Sequence, residues 1–231
     1  MYIIAECGIN HNGDMDLACR MIDAAKECKA DAVKFQLYDS DKLLPPEMAE
    51  KVRHCDLTRK QWCDLYDYAN QQDLDCSASV FDLERLKWLK AADPPWYKVA
   101  SRSYHDVELV KAILAEQKPT YISLGMLPPI DKPLEVTWHD NPNVLFMHCV
   151  SQYPAKIEKQ FFFSNFHCGF SSHTGEIAAP LYMISRGATV IEVHFSLDKS
   201  QPGVDQSSSI EPDDLRTLCR LAPEIERLAN L

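Results

Sequence analysis

Eight short runs of apolar and β-branched residues, spread evenly along 231 residues, constrain this chain more than any other feature. They span residues 2–7, 32–37, 74–80, 96–100, 120–124, 144–150, 166–171 and 189–195. Most are followed by a stretch of helical periodicity. After the first run, Asp14 can cap a helix whose Leu17, Met21, Ala25 and Cys28 form one stripe. Further helices are expected over 58–71, 83–91, 106–116, 176–186 and 211–228. Strands alternating with helices imply a parallel sheet. Eight such repeats in a chain of this length point to a closed α/β architecture, the (β/α)8 TIM barrel, rather than an open doubly wound sheet.

No linker or shift of composition divides the chain, so 1–231 reads as a single barrel domain. Two connections are thin. The stretch 126–143 (MLPPIDKPLEVTWHDNPN) carries four prolines and cannot form a full helix. The stretch 155–165 has room for one short helical turn. Reduced helices are therefore expected around strands 5 and 6, with Phe161–Phe163 near the surface, covering the gap or meeting a second subunit.

The net charge of −10 argues against a nucleic-acid or membrane surface, while leaving room for a local cationic site. No segment approaches the length of a membrane span, and the first residues lack the basic start of a signal peptide. Nine cysteines, an odd number with no CxxC pair, fit reduced thiols in a cytoplasmic protein rather than a disulfide framework.

In a barrel of this kind chemistry sits at the carboxyl ends of the strands. Those ends carry Glu6, Lys34 with Gln36, Ser79, Lys98 with Ser101, Ser123, Ser151 with Tyr153, Ser171 with His173, and Glu192 with His194. Buried lysine and glutamate are rare unless paired. Two lysines and several hydroxyls around one rim point to a bound phosphate or carboxylate. Taken alone, either strand-end histidine reads as an ordinary core residue. Together on adjacent strands, two neutral imidazoles suit a catalytic divalent ion. Glu192 either orients His194 or fills the barrel interior.

In order and spacing, IIAECGINHNGD (3–14), AVKFQLY (32–38), YKVAS (97–101), ISLGM (122–126), HCVSQYP (148–154), GFSSHTG (169–175), GATVIEVHFSLD (187–198) and PGVDQSSSIEPDDL (202–215) resemble the N-acetylneuraminate (sialic acid) synthase family over nearly the whole chain. The resemblance implies a metal-dependent condensation of phosphoenolpyruvate with N-acetylmannosamine or a related N-acylated aldose, releasing phosphate. It places His173 and His194 as metal ligands, the ion being Mn2+, Mg2+ or Co2+. It places Lys34, Ser79, Lys98, Ser101, Ser123, Ser151 and Ser171 around phosphoenolpyruvate, and Glu6, Gln36, Tyr153 and Asp205 toward the sugar. Glu6, Lys34, Lys98 and Asp205 are the expected catalytic groups.

The chain departs from the family pattern at several points. Ser101-Arg102-Ser103 stands where the family has Ser-Gly-Glu, losing a carboxylate and gaining a cation. Ser172 and Val193 replace polar neighbours of the two histidines, on the opposite strand face. The stretch Leu43–Asp56 reads as a shortened loop. The sequence reads as the family's barrel domain without its C-terminal antifreeze-like domain, so the expectation is a reduced synthase that acts alone, as a homodimer or with a separate lid-supplying subunit. Three readings compete: a reduced synthase, another carbon–carbon bond-forming barrel enzyme using phosphoenolpyruvate or aldolase chemistry, and a non-catalytic sugar-binding or scaffolding relative.

Overall fold

A computed structural model describes residues 1–126, 138–157 and 168–231. Eight parallel strands close into a barrel in sequence order: β1 (Tyr2–Gly8), β2 (Ala32–Leu37), β3 (Asp75–Val80), β4 (Tyr97–Val99), β5 (Thr120–Ser123), β6 (Val144–Cys149), β7 (Gly169–Ser172) and β8 (Val190–His194). Closure is made by β1 pairing with β8, Glu6 lying opposite His194. The expected (β/α)8 barrel is what the chain forms.

The long helices start where their sequences supply caps. In α1 (Met15–Glu27) the Asp14 carboxylate accepts from the Leu17 amide, and its buried face is Ala18, Met21, Ile22 and Ala25. That face is rotated slightly from the expected stripe, leaving Leu17 half-buried. Following β2, two short helices, α2 (Ser40–Leu43) and α3 (Pro46–Val52), fill the stretch expected to be a loop. Proline at the first position of α3 starts it without losing a hydrogen bond. Then α4 (Arg59–Gln71) opens on a Thr58–Gln61 capping box and buries Trp62, Leu65 and Ala69 on one face. Such a cap contributes about 1 kcal/mol.

The rest of the ring is α5 (Leu83–Ala92), α6 (Val107–Leu114), α7 (Ala178–Ser185) and α8 (Pro212–Ala229), each within two residues of its expected start. The described residues between β5 and β7 contain no α-helix. Most of those two connections, including Phe161–Phe163, lies outside the described residues. Among the described residues no helix is long and apolar enough to cross a membrane. All nine cysteines are free thiols.

Strand alternation sorts the side chains. On β2, Val33, Phe35 and Leu37 face the helices and join the main core, with no solvent exposure. A fully buried side chain of this size contributes about 1.5–3 kcal/mol. Ala32, Lys34 and Gln36 face the barrel interior. The interior changes character along its axis. At the amino ends of the strands it is a closed apolar plug of Ile4, Ala32, Trp96, Tyr121, Met147 and Val190. Two residues further along each of these strands the same face carries Glu6, Lys34, Lys98, Ser123, Cys149 and Glu192. The plug holds itself with polar tips: Trp96 Nε1 donates to the Tyr2 hydroxyl at 2.9 Å, and that hydroxyl donates to Asp75. The charged layer above it is where the barrel opens.

Candidate active site

A cavity of about 500 Å³ occupies the carboxyl end of the barrel. Its lining contains every residue singled out from the sequence: Glu6, Lys34, Gln36, Ser79, Lys98, Ser101, Ser123, Ser151, Tyr153, Ser171, His173, His194 and Asp205. Register explains the convergence. Glu6 pairs with Lys34 and with His194, Ser79 with Lys98, and Ser171 with Glu192. Residues as far apart in the chain as Glu6 and His194 thus sit side by side.

The floor is a buried chain of four charges. Lys34 Nζ lies 2.6 Å from Glu6 Oε2 and 3.6 Å from Glu192 Oε2. Lys98 Nζ lies 3.5 Å from Glu192 Oε1. Each ammonium also donates to a hydroxyl, Lys34 to Ser79 Oγ at 3.0 Å and Lys98 to Ser123 Oγ at 2.8 Å. Ser171 donates to Glu192 Oε1 at 2.7 Å, and Gln36 Nε2 donates to Glu6 Oε1 at 3.0 Å. Glu192 is therefore a bridge between the lysines, a role that neither sequence expectation for it contained. Only the pairing of β8 with β7 and β1 reveals it.

Burial and partners set the protonation states. Burial would raise the Glu192 carboxyl, but Lys34 and Lys98 outweigh it and hold the group well below the usual carboxylate range. Glu6 goes the other way: burial dominates, Glu192 adds to it, and Lys34 only partly offsets them, so its carboxyl rises to about 7. Burial pulls on both lysines. Lys34, held by two carboxylates, ends above its ordinary value, and Lys98 ends below it.

Above this floor stand the two histidines, with ring centroids 5.1 Å apart. His173 Nδ1 is 2.9 Å from the Val150 carbonyl oxygen. A carbonyl has no proton to give, so Nδ1 carries the hydrogen and Nε2 keeps its lone pair. Burial lowers the proton affinity of both imidazoles, that of His194 to about 4, so both are neutral near pH 7. His194 Nδ1 is buried with no hydrogen-bond partner, 3.8 Å from Asp205 Oδ2. Two neutral imidazoles, one with an orphaned nitrogen and one with its other nitrogen tied to a carbonyl, fit a divalent ion. Among the described residues no group of three His, Cys, Asp or Glu converges on one point, so such an ion would keep open positions, as catalytic ions do. The Tyr153 ring stacks on His173 at 4.1 Å between centroids.

Asp205 reaches the cavity from the loop after β8. That loop is fastened by Asn10, whose Nδ2 donates to Ser209 Oγ at 2.8 Å and to the Phe195 carbonyl at 2.9 Å. Asn10 was not singled out in the sequence, although an asparagine in a loop after a strand is a common clamp. Gly8, at φ +50°, marks a break in the β1–β2 register. A Cβ there would come within 3.2 Å of Gln36 Nε2 and Glu6 Oε1, and 3.5 Å of Asp205 Oδ2. Ser172 and Val193 point away from the cavity, Val193 into the core between barrel and helices, as alternation requires.

Closed parallel barrel and charged cavity at the strands' carboxyl ends together define the class of barrel enzymes. Within that class the chain belongs to the NeuB family, whose model matches residues 21–230. It is 32% identical over 252 residues to the N-acetylneuraminate-9-phosphate synthase of Mus musculus, covering 98% of this chain and 70% of the relative. It is equally 32% identical, over 247 residues, to a pseudaminic acid synthase of Campylobacter jejuni, covering 94% of this chain and 71% of the relative. The crystal structure of the N-acetylneuraminic acid synthetase of Leptospira borgpetersenii, in complex with citrate, superposes with a TM-score of 0.88 at 29% identity. That match covers 100% of this chain and 85% of the other.

Proposed function

We propose that this chain is a nonulosonate synthase that condenses phosphoenolpyruvate with N-acetylmannosamine or a related N-acylated aldose and releases phosphate. The observation that carries the reading is the pair of buried lysines, each bonded to a serine hydroxyl and both bridged by Glu192, beneath two neutral histidines. Cations this deep are costly unless a ligand or counter-ion needs them. Two ammonium groups, from β2 and β4 and both within 3.6 Å of Glu192, suit an anion with two charged ends, and phosphoenolpyruvate carries a phosphate and a carboxylate. The named synthases among its relatives support the same class of chemistry.

In this reading Lys34 and Lys98 hold the anion, the hydroxyls of Ser79, Ser101, Ser123 and Ser151 donate to its oxygens, and Ser171 lines the same site while donating to Glu192. Their work is to fix C3 of the enol against the aldehyde carbon, a positioning effect. Gln36, Tyr153 and Asp205 orient the sugar. A divalent ion (Mn2+, Mg2+ or Co2+), held by His173 and His194, supplies Lewis-acid polarisation of the aldehyde oxygen when bound. The new bond joins C3 to the aldehyde carbon, water adds at C2, and phosphate departs by cleavage of the C2–O bond. The Glu6 carboxyl, titrating near neutrality, can hold or release a proton beside the sugar, which suits a general acid–base group. Both lysines act as fixed charges.

The direct test measures inorganic phosphate released from phosphoenolpyruvate with a panel of N-acetylhexosamines, with and without manganese. Release that requires both the aldose and the ion is the expected result. Absence of release with every aldose and every ion would refute the reading.

A further inference from the structure

We infer that the carboxyl end of β6 is a holder for one metal-ligand ring: Cys149, Val150 and Tyr153 enclose the His173 imidazole on three sides and thereby set the affinity of the site for its divalent ion. The inference rests on the reading of His173 and His194 as ligands. It gives the stretch HCVSQYP (148–154) a use beyond contact with substrate.

The contacts all come from one short segment. The Ala155 amide donates to the His173 carbonyl oxygen at 2.8 Å, which fastens the backbone. The Val150 carbonyl accepts the Nδ1 proton at 2.9 Å, at one edge of the ring. Tyr153 covers one face, its ring tilted by 23° at 4.1 Å between centroids. Cys149 Sγ, buried, lies 3.8 Å from His173 Nδ1 and 3.7 Å from Nε2. A sulfur in the ring plane at such distances from both nitrogens would collide with the carbon between them, so it stands over a face. The phenol ring fills one face and leaves the sulfur the other.

An edge bond alone lets an imidazole rock, whereas contact on both faces stops it. A ligand has to keep its lone pair within about 10–20° of the productive direction, and locked rotamers supply that precision. The Nε2 lone pair lies in the ring plane, clear of both face contacts. Tyr153 also meets His194 edge-on, at 5.9 Å and 83°, so one phenol ring braces both ligands. Core packing does not account for the stack, because Tyr153 is 50% exposed. An imidazole that shares its lone pair with a cation is drawn more strongly to the electron-rich phenol face, so stack and ion reinforce each other.

The test titrates Mn2+ calorimetrically into the unaltered chain, into Tyr153→Phe, Tyr153→Leu and Cys149→Ala, and into the variant carrying Tyr153→Leu and Cys149→Ala together. Urea unfolding of each without metal accompanies the titrations. Tyr153→Phe keeps the ring and should bind Mn2+ as tightly as the original. Tyr153→Leu should weaken binding about tenfold, the loss expected for a partner that orients a ligand, with metal-free stability little changed. Cys149→Ala should weaken it by a smaller factor. Because both side chains act on one ring orientation, the double variant should lose less than the product of the two single losses. Unchanged affinity in Tyr153→Leu, an equal loss in Tyr153→Phe, or single losses that multiply would overturn the holder. So would a weakening matched by lost metal-free stability, since the tyrosine would then only support the fold. Absence of Mn2+ binding by the unaltered chain would remove the ion and its holder together, whereas binding indifferent to Tyr153→Leu removes the holder alone. Phosphate release from phosphoenolpyruvate by the unaltered chain decides the condensing reading separately.

Discussion

Glu192→Gln removes the one carboxylate that faces both lysines, and the structure fixes what should follow. Its oxygens lie 3.5 Å from Lys98 Nζ and 3.6 Å from Lys34 Nζ. At an effective dielectric of about 20, each such contact carries on the order of 5 kcal/mol of gross attraction. Most of that offsets the cost of taking the three ions out of water. The net effect of breaking a buried pair is about 3–5 kcal/mol, because a charge is left without its partner. The two lysines are not equally exposed to the loss. Lys34 keeps Glu6 at 2.6 Å, whereas Lys98 keeps only the Ser123 hydroxyl. Burial already lowers the Lys98 proton affinity, and the substitution lowers it further. The unfolded chain then binds the proton that the folded chain rejects, so stability rises with pH up to the ordinary lysine range. The destabilisation of the variant, read by urea unfolding, should therefore be smaller at pH 9 than at pH 7. Inorganic phosphate, which can replace the lost carboxylate between the ammonium groups, should stabilise the variant more than the unaltered chain. A variant as stable as the original at pH 7, or one indifferent to phosphate, would show that the bridge does not hold the lysines.

Three further outcomes follow from the same geometry. His173→Ala should abolish high-affinity manganese binding by calorimetry and lower metal-dependent turnover by at least about a hundredfold; unimpaired metal affinity would remove His173 from the ligand set. Glu6 has a folded proton affinity raised from 4.5 to about 7, so the folded state binds more protons in that window and stability must fall as pH rises through it. Glu6→Gln should flatten this part of the stability profile, and an unchanged slope between pH 5 and 7 would count against the raised value. Gly13→Ala should cost about 3 kcal/mol or more, because at φ +76° its Cβ would sit 2.1 Å from the His54 carbonyl oxygen. A melting temperature within a degree of the original would mean that the loop relaxes freely.

The barrel was legible because its two faces obey a period of two. Val33, Phe35 and Leu37 alternate with Ala32, Lys34 and Gln36, and a buried lysine in such a run is conspicuous. The cap at Asp14 was equally readable, and Thr58, Asp82 and Asp106 prove to cap their helices in the same way, each a short polar side chain before the helix. Helices α2 and α3 were not readable. At four and seven residues, with Pro45 and Pro46 at their junction, they are too short to show a period. Their helical form depends on packing over the β2 end, where the Asp56 carboxylate accepts from the Ser40 amide and hydroxyl. The candidate site divides along the same line. Which residues reach the cavity follows from each strand alone, whereas which carboxylate meets which lysine depends on register between strands. Local sequence holds no record of that register, so Glu192 and Asn10 could not be assigned.

The four-charge floor also explains how one fold can keep two lysines buried and still use them. With all four groups ionised the floor is neutral, and the fold carries no net buried charge when no ligand is bound. An entering anion disturbs that balance, and the group best able to respond is Glu6. Its carboxyl, raised to about 7, titrates near neutrality, and it faces Lys34 on one side and the open cavity on the other. Glu192, held ionised by two ammonium groups and the Ser171 hydroxyl, is the poor choice for a proton carrier and the good one for a fixed strut. One carboxylate is kept rigid by two cations, and the other is left adjustable by having only one. The asymmetry follows from strand order, because Glu6 on β1 lies beside β2 and its Lys34 but not beside β4, whereas Glu192 on β8 reaches both lysines.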